Sequence, residues 1–261
     1  MALTAKRAAF FDVDNTLIRG STIYFLGKGM YQRGYFTKKD ISRFVLANLR
    51  FRLTGKENKE EIKRFQDAAT DFIGGHSVAD IEKIAQEIYD QYVSPALWQG
   101  TIDIAQKHLS AGEEVWLVTA APEDMAVLIA KRLGFTGALG SKAETKDGKY
   151  TGAMLGLLLH GKEKAVAVHE LAAQKSLNLD DCYSYSDSHN DFPLLQCVGH
   201  PSAINPDAIL SLRAMAEGWP IHDFRRARHL AKIVSPVVVR VAAHGTRLTP
   251  RGKRRLLSLK R

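Results

Sequence analysis

The sequence is poor in cysteine and has no long apolar run. Its 261 residues include only two cysteines, Cys182 and Cys197, which are too few for a disulfide framework and lack the spacing of a metal knuckle. No stretch approaches the length of about 20 apolar residues that a membrane-spanning helix needs. The short apolar run near the N-terminus contains Asp12 and Asp14, unlike the apolar centre of a secretory signal. These absences exclude a disulfide-stabilised secreted protein and predict a reducing, cytoplasmic setting.

Acidic residues are absent from two parts of the chain. None lies between Asp14 and Asp40, and none of the 28 Asp and Glu lies within 225–261, where 12 of the 37 Lys and Arg occur. Residues 1–224 therefore carry 25 basic and 28 acidic side chains. The net charge of +9 arises from a basic C-terminal tail, residues 225–261, on a mildly acidic body.

The basic tail alternates cationic clusters with apolar residues. Its arginines flank a stretch that includes Val237, Val238 and Val239. Such a segment suits peripheral contact with an anionic membrane surface, and a partly disordered, solubilising tail is an equally good interpretation. Nucleic acid is a less suitable partner, because aromatic side chains for base stacking are scarce in this segment.

Residues 9–17 are the most informative stretch of the chain. Apolar residues 9–11 lead directly into Asp12 and Asp14, and Thr16 follows. A short apolar run that ends in polar residues is typical of a buried parallel strand whose carboxyl end opens into a site. Side chains at positions i and i+2 of a strand share one side, and two such carboxylates attract a hard cation such as Mg²⁺. A simple turn at the end of a strand is the alternative interpretation.

The spacing of apolar residues divides the rest of the chain into two regions. Four stretches with helical spacing predict an all-α insertion; they are 21–34, 38–53, 59–74 and 77–93. From residue 101 onwards helices alternate with strands, which predicts a parallel sheet with helices on both faces. The predicted helices are 102–109, 123–133, 164–174, a turn at 193–196 and a helix opened by 205–207 that ends at 216. The predicted strands are 115–118, 182–185 and 198–204, with a hairpin over 138–156.

Each candidate reactive side chain follows one of the predicted strands or begins a helix beside one. They are Asp12 and Asp14 after the first strand, Thr119 after the second, Asp187 and Asp191 after the third, and Lys162 or Lys164 before the third. Sites in open α/β sheets lie at the carboxyl ends of strands, so we expect these groups to converge at one edge. Taken singly, each is an ordinary helix cap, turn former or surface charge. Crowded together, they would be costly without a cation or an anion among them.

In order and spacing these residues resemble the four motifs of the haloacid dehalogenase (HAD) superfamily. The motifs are Asp12-x-Asp14-x-Thr16, Val118-Thr119, the lysine, and Asp187-x-x-x-Asp191. The resemblance covers roughly residues 8–220 and is to the phosphoserine-phosphatase-like branch, subfamily IB, which carries a helical cap between the first two motifs. It implies an α/β fold with a Rossmann-like three-layer parallel sheet and an inserted all-α cap. The implied core is 1–17 and 99–224, the cap is 18–98, and the basic tail lies outside both.

The resemblance implies a reaction at the first motif. Asp12 would attack phosphorus as a nucleophile and form an aspartyl-phosphate. Asp14 would protonate the leaving oxygen and later activate water. Mg²⁺ would bind the carboxylates of Asp12 and Asp187 and the backbone carbonyl of Asp14.

The resemblance also implies which groups would hold the substrate. Thr119, with Ala120 beside it, and the motif-three lysine would bind phosphoryl oxygens and offset their charge in the transition state. Asn190 would contribute to substrate binding, and Asp191 would orient the lysine from behind the site.

Two positions depart from the family pattern, and the motif-three lysine can be assigned to either of two residues. Ser21 stands nine residues after Asp12, where phosphoserine phosphatases carry a glutamate for the substrate ammonium, so selectivity for phosphoserine is not implied. Ser186 stands where motif four commonly begins with glycine, and we do not expect it to disable the site. Family spacing favours Lys164 as the motif-three lysine, with Lys162 as the alternative.

The sequence therefore predicts a Mg²⁺-dependent phosphomonoesterase for a small phosphorylated metabolite. A lysophospholipid phosphate is a variant that would suit the apolar, basic tail. A phosphotransferase or phosphomutase of the same superfamily is one alternative, because water and hydroxyl acceptors need the same surrounding groups. A non-catalytic module that binds a membrane or nucleic acid through the tail is another, and the intact motifs disfavour it. The candidate cap side chains for selecting the leaving group are Tyr24, Tyr31, Arg43, Arg50 and Arg52.

Overall fold

A seven-stranded sheet runs through the described part of the chain, which in this computed structural model comprises residues 6–35, 37, 42 and 73–225. The strands are β1 Ala8–Phe11, β2 Glu114–Pro122, β3 Gly137–Lys146, β4 Lys149–Leu155, β5 Tyr183–Ser186, β6 His200–Ile204 and β7 Ile221–His222. Their order across the sheet is β4-β3-β2-β1-β5-β6-β7. Every neighbouring pair is parallel except β3 and β4, which form an antiparallel hairpin at one edge.

The helices of the described residues follow the strands along the chain, as the alternating pattern predicts. They are α1 Thr22–Gln32, α2 Val78–Ile88, α3 Gln99–Ser110, α4 Glu123–Leu133, α5 Lys162–Lys175, α6 Phe192–Gln196 and α7 Ala208–Glu217. A π-helical turn, Tyr89–Val93, continues α2 towards α3. No helix within these ranges combines the length and the hydropathy needed to cross a bilayer.

Helices cover both faces of the sheet, as the contacts of the central strand β1 show. Successive residues of a strand point to opposite faces, so neighbouring residues of β1 contact different helices. Phe10 is buried in an apolar cluster with Val168 of α5 and Leu194 of α6. Phe11 points to the other face, where its ring meets the His108 ring of α3 edge-on. All four residues of β1 are buried, as expected for a strand covered on both sides. The predicted α/β class with a three-layer arrangement is confirmed.

The predicted elements differ from the observed ones mainly at their ends. The strand predicted at 115–118 extends to Pro122, because β3 keeps pairing with it as far as Ser141 across an irregularity. β7 was not predicted, since two residues are too few to show a periodic pattern. The helices predicted at 38–53 and 59–74 lie outside the described residues, apart from Ser42 and the last two positions, so the cap boundaries 18–98 stay a prediction.

The C-terminal segment is a separate unit, residues 223–261, of which the structure describes only the first three. There the Asp223 carboxylate accepts hydrogen bonds from the backbone N–H and the guanidinium of Arg225. The rest of the predicted basic tail lies outside the described residues.

The two chain segments that lead from the sheet to the helical insertion pair with each other. Arg19 N–H donates to the Ala96 carbonyl at 2.7 Å, and Trp98 N–H donates to the Leu17 carbonyl at 2.9 Å. These backbone bonds join the exit of the first motif to the chain that enters α3. They fix where α1 begins relative to the carboxyl edge of β1.

Helices α1 and α2 approach each other closely at a glycine. A Cβ atom on Gly29 would lie 2.4 Å from Ile88 Cγ1, whereas a Cβ atom on Gly27 would meet nothing within 4 Å. Ile88 is fully buried, so it has little room to move away. The contact therefore depends on the missing side chain at Gly29.

We expect Gly29→Ala to lower the free energy of unfolding by about 1–3 kcal/mol through overpacking against Ile88. Gly27→Ala is the matched control, and it should raise the free energy of unfolding by about 0.5–1 kcal/mol because alanine favours the helix. Urea unfolding of both variants measures the difference. Equal stability of the two variants would contradict the close α1–α2 contact.

Candidate active site

The carboxylates of the first and fourth motifs meet at the carboxyl edge of the sheet. Asp12 follows β1 directly and its backbone N–H donates to the Tyr185 carbonyl of β5 at 2.9 Å. Asp187 follows β5, next to Ser186. The Thr16 hydroxyl lies 3.0 Å from Asp12 Oδ2 and 3.4 Å from Asp187 Oδ1, so one hydroxyl touches both carboxylates. The parallel pairing of β1 and β5 produces this proximity.

A buried ammonium group lies among the acidic side chains. Lys164 Nζ donates to Asp12 Oδ1 at 2.6 Å and to Asp191 Oδ2 at 2.7 Å, and the residue is only 3% exposed. Lys162, at the first position of α5, is exposed. The structure thus brings Lys164, and not Lys162, to the carboxylates.

Ser186 is an additional partner of Asp191 that sequence reasoning did not assign. Its buried hydroxyl donates to Asp191 Oδ2 at 2.7 Å, the same oxygen that accepts from Lys164. A glycine at this position could not make that bond. Two donors therefore hold one oxygen of Asp191 in place, and Asp191 in turn holds Lys164.

Asp14 has a different set of partners from Asp12. Its Oδ1 atom accepts hydrogen bonds from the Thr22 backbone N–H at 2.8 Å and from the Thr22 hydroxyl at 2.6 Å. Asn15 has a φ of 60°, so the chain curls immediately after Asp14. The Asp14 carboxyl thus contacts the first residue of α1, a partner that the motif pattern did not predict.

Thr119 lies inside β2 and not in a loop after it. Leu117 is paired with Phe11, which places Thr119 one residue beyond the level of Asp12 on the neighbouring strand. The Thr119 hydroxyl is buried and accepts from the Ala121 N–H at 3.1 Å, a bond that leaves its own proton unused. Ala120 is held through its carbonyl, which accepts from the Ser141 hydroxyl at 2.9 Å.

Asn190 follows β5, whereas Thr119 lies in β2, so the two residues belong to the segments on either side of the central strand β1. Asn190 belongs to the short 3₁₀ turn His189–Asp191 and is exposed, with its backbone N–H bonded to the Ser188 hydroxyl at 3.3 Å. Its side chain is therefore accessible to a ligand at the rim of the carboxylate cluster.

The charges of the cluster do not balance. Among the described residues, Lys164 forms ion pairs with Asp12 and Asp191, whereas Asp187 reaches this cluster only through the Thr16 hydroxyl. Burial raises the pKa of Asp187 to about 8, and the nearby negative charge of Asp12 adds to this effect. Burial also raises the pKa of Asp12 to about 6, against the opposing effect of Lys164. Burial alone would lower the pKa of Lys164, but Asp12 and Asp191 together raise it above its ordinary value.

The donor set at this edge fits a divalent cation. With every group ionised, the carboxylates of Asp12, Asp14, Asp187 and Asp191 and the ammonium of Lys164 carry a net charge of −3, an excess of negative charge that a divalent cation would largely offset. Within the described ranges no group of three or more His, Cys, Asp or Glu side chains is arranged to hold a metal. That criterion does not apply to the ligand set predicted from the sequence, which has two carboxylates, of Asp12 and Asp187, and the backbone carbonyl of Asp14. Oxygen donors of this kind, completed by water and substrate, suit Mg²⁺.

Comparison with known proteins gives the family of the chain. The model of the haloacid dehalogenase-like hydrolases matches residues 9–196. Phosphoserine phosphatase SerB1 of Mycobacterium tuberculosis (strain H37Rv) is 47% identical over 248 residues, which is 95% of this chain and 80% of that protein. The chain therefore belongs to the haloacid dehalogenase-like hydrolase family. Within it the chain is a phosphatase of the phosphoserine-phosphatase-like branch, as the four motifs predict.

Solved structures agree with the fold of this family. A Bordetella pertussis Tohama I protein, described as having unknown function, is 30% identical with a TM-score of 0.75, covering 85% of this chain and 100% of that one. A phosphoserine phosphatase in its apo form has a TM-score of 0.58 at 19% identity, over 87% of this chain and 98% of that one. At that identity the second likeness concerns the fold alone.

We expect the buried carboxylate of Asp187 to make the metal-free protein less stable as the pH rises. The folded state keeps its proton up to about pH 8, whereas an unfolded aspartate loses it near pH 4, so the free energy of unfolding falls between these values. Asp187→Asn removes this penalty, so its Tm should exceed that of the wild type by several degrees at pH 8 and by much less at pH 5.

Thermal unfolding in EDTA from pH 5 to pH 8.5 measures this difference. Asp147→Asn is the matched control, because Asp147 is exposed in the β3–β4 turn, where its φ of 51° suits asparagine equally well. The Tm of Asp147→Asn should change with pH in the same way as the Tm of the wild type. A gap between Asp187→Asn and the wild type that is constant with pH would contradict the expectation.

Proposed function

We propose that this phosphatase is a Mg²⁺-dependent phosphomonoesterase that acts through an aspartyl-phosphate on Asp12. The observation that carries the proposal is the ion pair between Asp12 and the buried Lys164, which is itself held by Asp191. A carboxylate nucleophile needs a fixed direction of attack and nearby positive charge for the phosphoryl group. Lys164 supplies both within a buried, hydrogen-bonded cluster.

The proposed first step is attack of an Asp12 carboxylate oxygen on phosphorus. Lys164 and Thr16 each hold one of its two oxygens, which restricts rotation of the carboxylate. The Thr119 hydroxyl, which donates to no group of the described residues, and the Lys164 ammonium would bind the phosphoryl oxygens. A cation bound by Asp12, Asp187 and the Asp14 carbonyl would supply further positive charge to those oxygens.

The proposed proton donor to the leaving oxygen is Asp14. Both hydrogen bonds from Thr22 go to Oδ1, so Oδ2 is left for proton transfer. The same carboxylate would then take a proton from the water that attacks the aspartyl-phosphate. Asp14 therefore serves as acid in the first step and as base in the second.

The proposed substrate is a small phosphorylated metabolite or a lysophospholipid phosphate. The name of the M. tuberculosis relative makes phosphoserine one candidate. Two features disfavour phosphoserine as the substrate. Ser21 carries no negative charge that could pair with a substrate ammonium, and α1 contains no acidic residue. Transfer to an acceptor other than water remains the alternative within the family. Contact of residues 225–261 with an anionic membrane stays a prediction.

We expect Mg²⁺-dependent release of phosphate from at least one member of a panel of monoesters. The panel contains phosphoserine, sugar phosphates, histidinol phosphate, nucleotides and lysophosphatidic acid. Asp12→Asn should abolish release, because the amide cannot act as the nucleophile. A folded protein that binds Mg²⁺ but releases no phosphate from any ester would contradict the proposal and favour phosphotransfer to another acceptor.

We expect Lys164→Met to lower kcat by about 10²–10³-fold, because the transition state loses an aligned positive charge. The substitution also leaves two buried carboxylates without their counter-ion, so Tm should fall as well. Lys162→Met is the matched control two residues away on the exposed side of α5. Steady-state kinetics and thermal unfolding compare the two. Similar losses in both variants would contradict the role of Lys164.

A further inference from the structure

The turn between β6 and α7, residues 205–207, touches both loops that carry the proposed cation ligands. Asn205 is 4% exposed, and its side-chain Nδ2 donates to the Asn15 carbonyl at 3.1 Å. Asn15 directly follows Asp14, whose carbonyl is a proposed ligand. The amide of Asn205 therefore holds the loop of the first motif by its backbone, 190 residues away in sequence.

Asp207 holds the loop of the fourth motif by three bonds. Its backbone N–H donates to the Asp187 carbonyl at 2.8 Å. Its Oδ2 atom accepts from the His189 backbone N–H at 2.8 Å and lies 2.9 Å from His189 Nδ1. Its Oδ1 atom accepts from the Leu210 N–H at 2.8 Å and so caps α7. One side chain thus fixes both the start of a helix and the segment that carries Asp187.

The two loops need such a restraint because their carboxylates repel each other. In the described part of the chain the one hydrogen-bond donor that Asp12 and Asp187 share is the Thr16 hydroxyl, which has a single proton for two acceptors. Repulsion between the ionised side chains would tend to separate the loops. Bonds from residues 205–207 go to backbone groups and to His189, so they restrain the loops without occupying the Asp12 or Asp187 carboxylates.

We propose that Asn205 and Asp207 are positioning residues that hold the Asp14–Asn15 and Asp187–His189 segments at the separation a divalent cation requires. The inference rests on the proposed function, since it deepens the account of the same site. Neither side chain contacts the Asp12 nucleophile or the Lys164 ammonium in the bonds described above. Their effect is on the affinity for the cation, through the placement of the Asp14 carbonyl and the Asp187 side chain.

The variants must separate this role from ordinary contributions to folding. Asn205 has a φ of 48°, so Asn205→Gly keeps the left-handed backbone while removing the amide that holds Asn15. Asp207→Ser keeps a good N-cap for α7, but its single hydroxyl oxygen cannot also hold His189. Asn178→Gly is the matched control, because it removes an amide that donates to Asp181 just before β5, at the opposite edge of the sheet.

The primary measurement is calorimetric titration of each variant of the 261-residue chain with MgCl₂ alone, without substrate. We expect Asn205→Gly and Asp207→Ser to raise the Kd for Mg²⁺ about tenfold or more, which is about 1.4 kcal/mol. Asn178→Gly should bind Mg²⁺ as the wild type does. In phosphate release, the two turn variants should need more Mg²⁺ for half-maximal rate, and saturating Mg²⁺ should restore most of kcat.

Unchanged Kd values in both turn variants, or an equal rise in Asn178→Gly, would overturn the inference. If either variant fails to fold, Asn205→Asp and Asp207→Asn take their place, since they keep the side-chain shape. They change the charge in opposite directions, so a rise in Kd for Mg²⁺ in both cannot come from charge alone. Mg²⁺ binding by the wild type without phosphate release would overturn the proposed function and leave the calorimetric test intact. Absence of Mg²⁺ binding by the wild type would overturn both.

Discussion

The ammonium of Lys164, buried between Asp12 and Asp191, is the interaction on which the rest of the site depends. A buried ion pair that loses one partner costs about 3–5 kcal/mol, so each member of this group requires the others. The geometry explains the surrounding structure: α5 must begin beside the loop that follows β5 to deliver the lysine, and Ser186 must hold Asp191 from the strand itself. The arrangement holds the carboxylate that we propose as nucleophile in one orientation and leaves an excess of negative charge around it.

That excess of charge connects the fold to the proposed chemistry. Parallel strands bring their carboxyl ends to one edge, which is why Asp12, Thr119 and Asp187 meet although 175 residues separate the first from the last. Burial and the neighbouring charge of Asp12 raise the pKa of Asp187, which indicates that Lys164 offsets only part of this crowding. A divalent cation would do so, and the substrate phosphate would then bring negative charge that Lys164 and the cation share. The same excess of negative charge thus favours binding of the cation, and the bound cation would in turn attract the anionic phosphate.

The sequence was sufficient to predict the sheet and the charged side chains that lie at its carboxyl edge, and the reason is physical. Buried strands that end in acidic residues leave a pattern over a few adjacent positions, as at residues 9–14, and so do helices with a regular apolar spacing. The bonds from Ser186 to Asp191, from Thr22 to Asp14 and from Asn205 to Asn15 leave no such pattern. They join common polar residues across long sequence separations or within turns, where serine, threonine and asparagine are expected in any case. Only the folded geometry distinguishes them from ordinary turn residues.

The position of Asp14 links the chemistry to the helical insertion. Its carboxyl accepts two bonds from Thr22, at the start of α1, and the paired segments at Arg19–Ala96 and Leu17–Trp98 fix where that helix begins. Any movement of α1 relative to the sheet must therefore stretch or rotate the Asp14 side chain. The group proposed to protonate the leaving oxygen thus takes its orientation from the element expected to contact the leaving group. A substrate that fits α1 poorly would misplace the acid as well as the ester, so selectivity would appear in kcat and not only in binding.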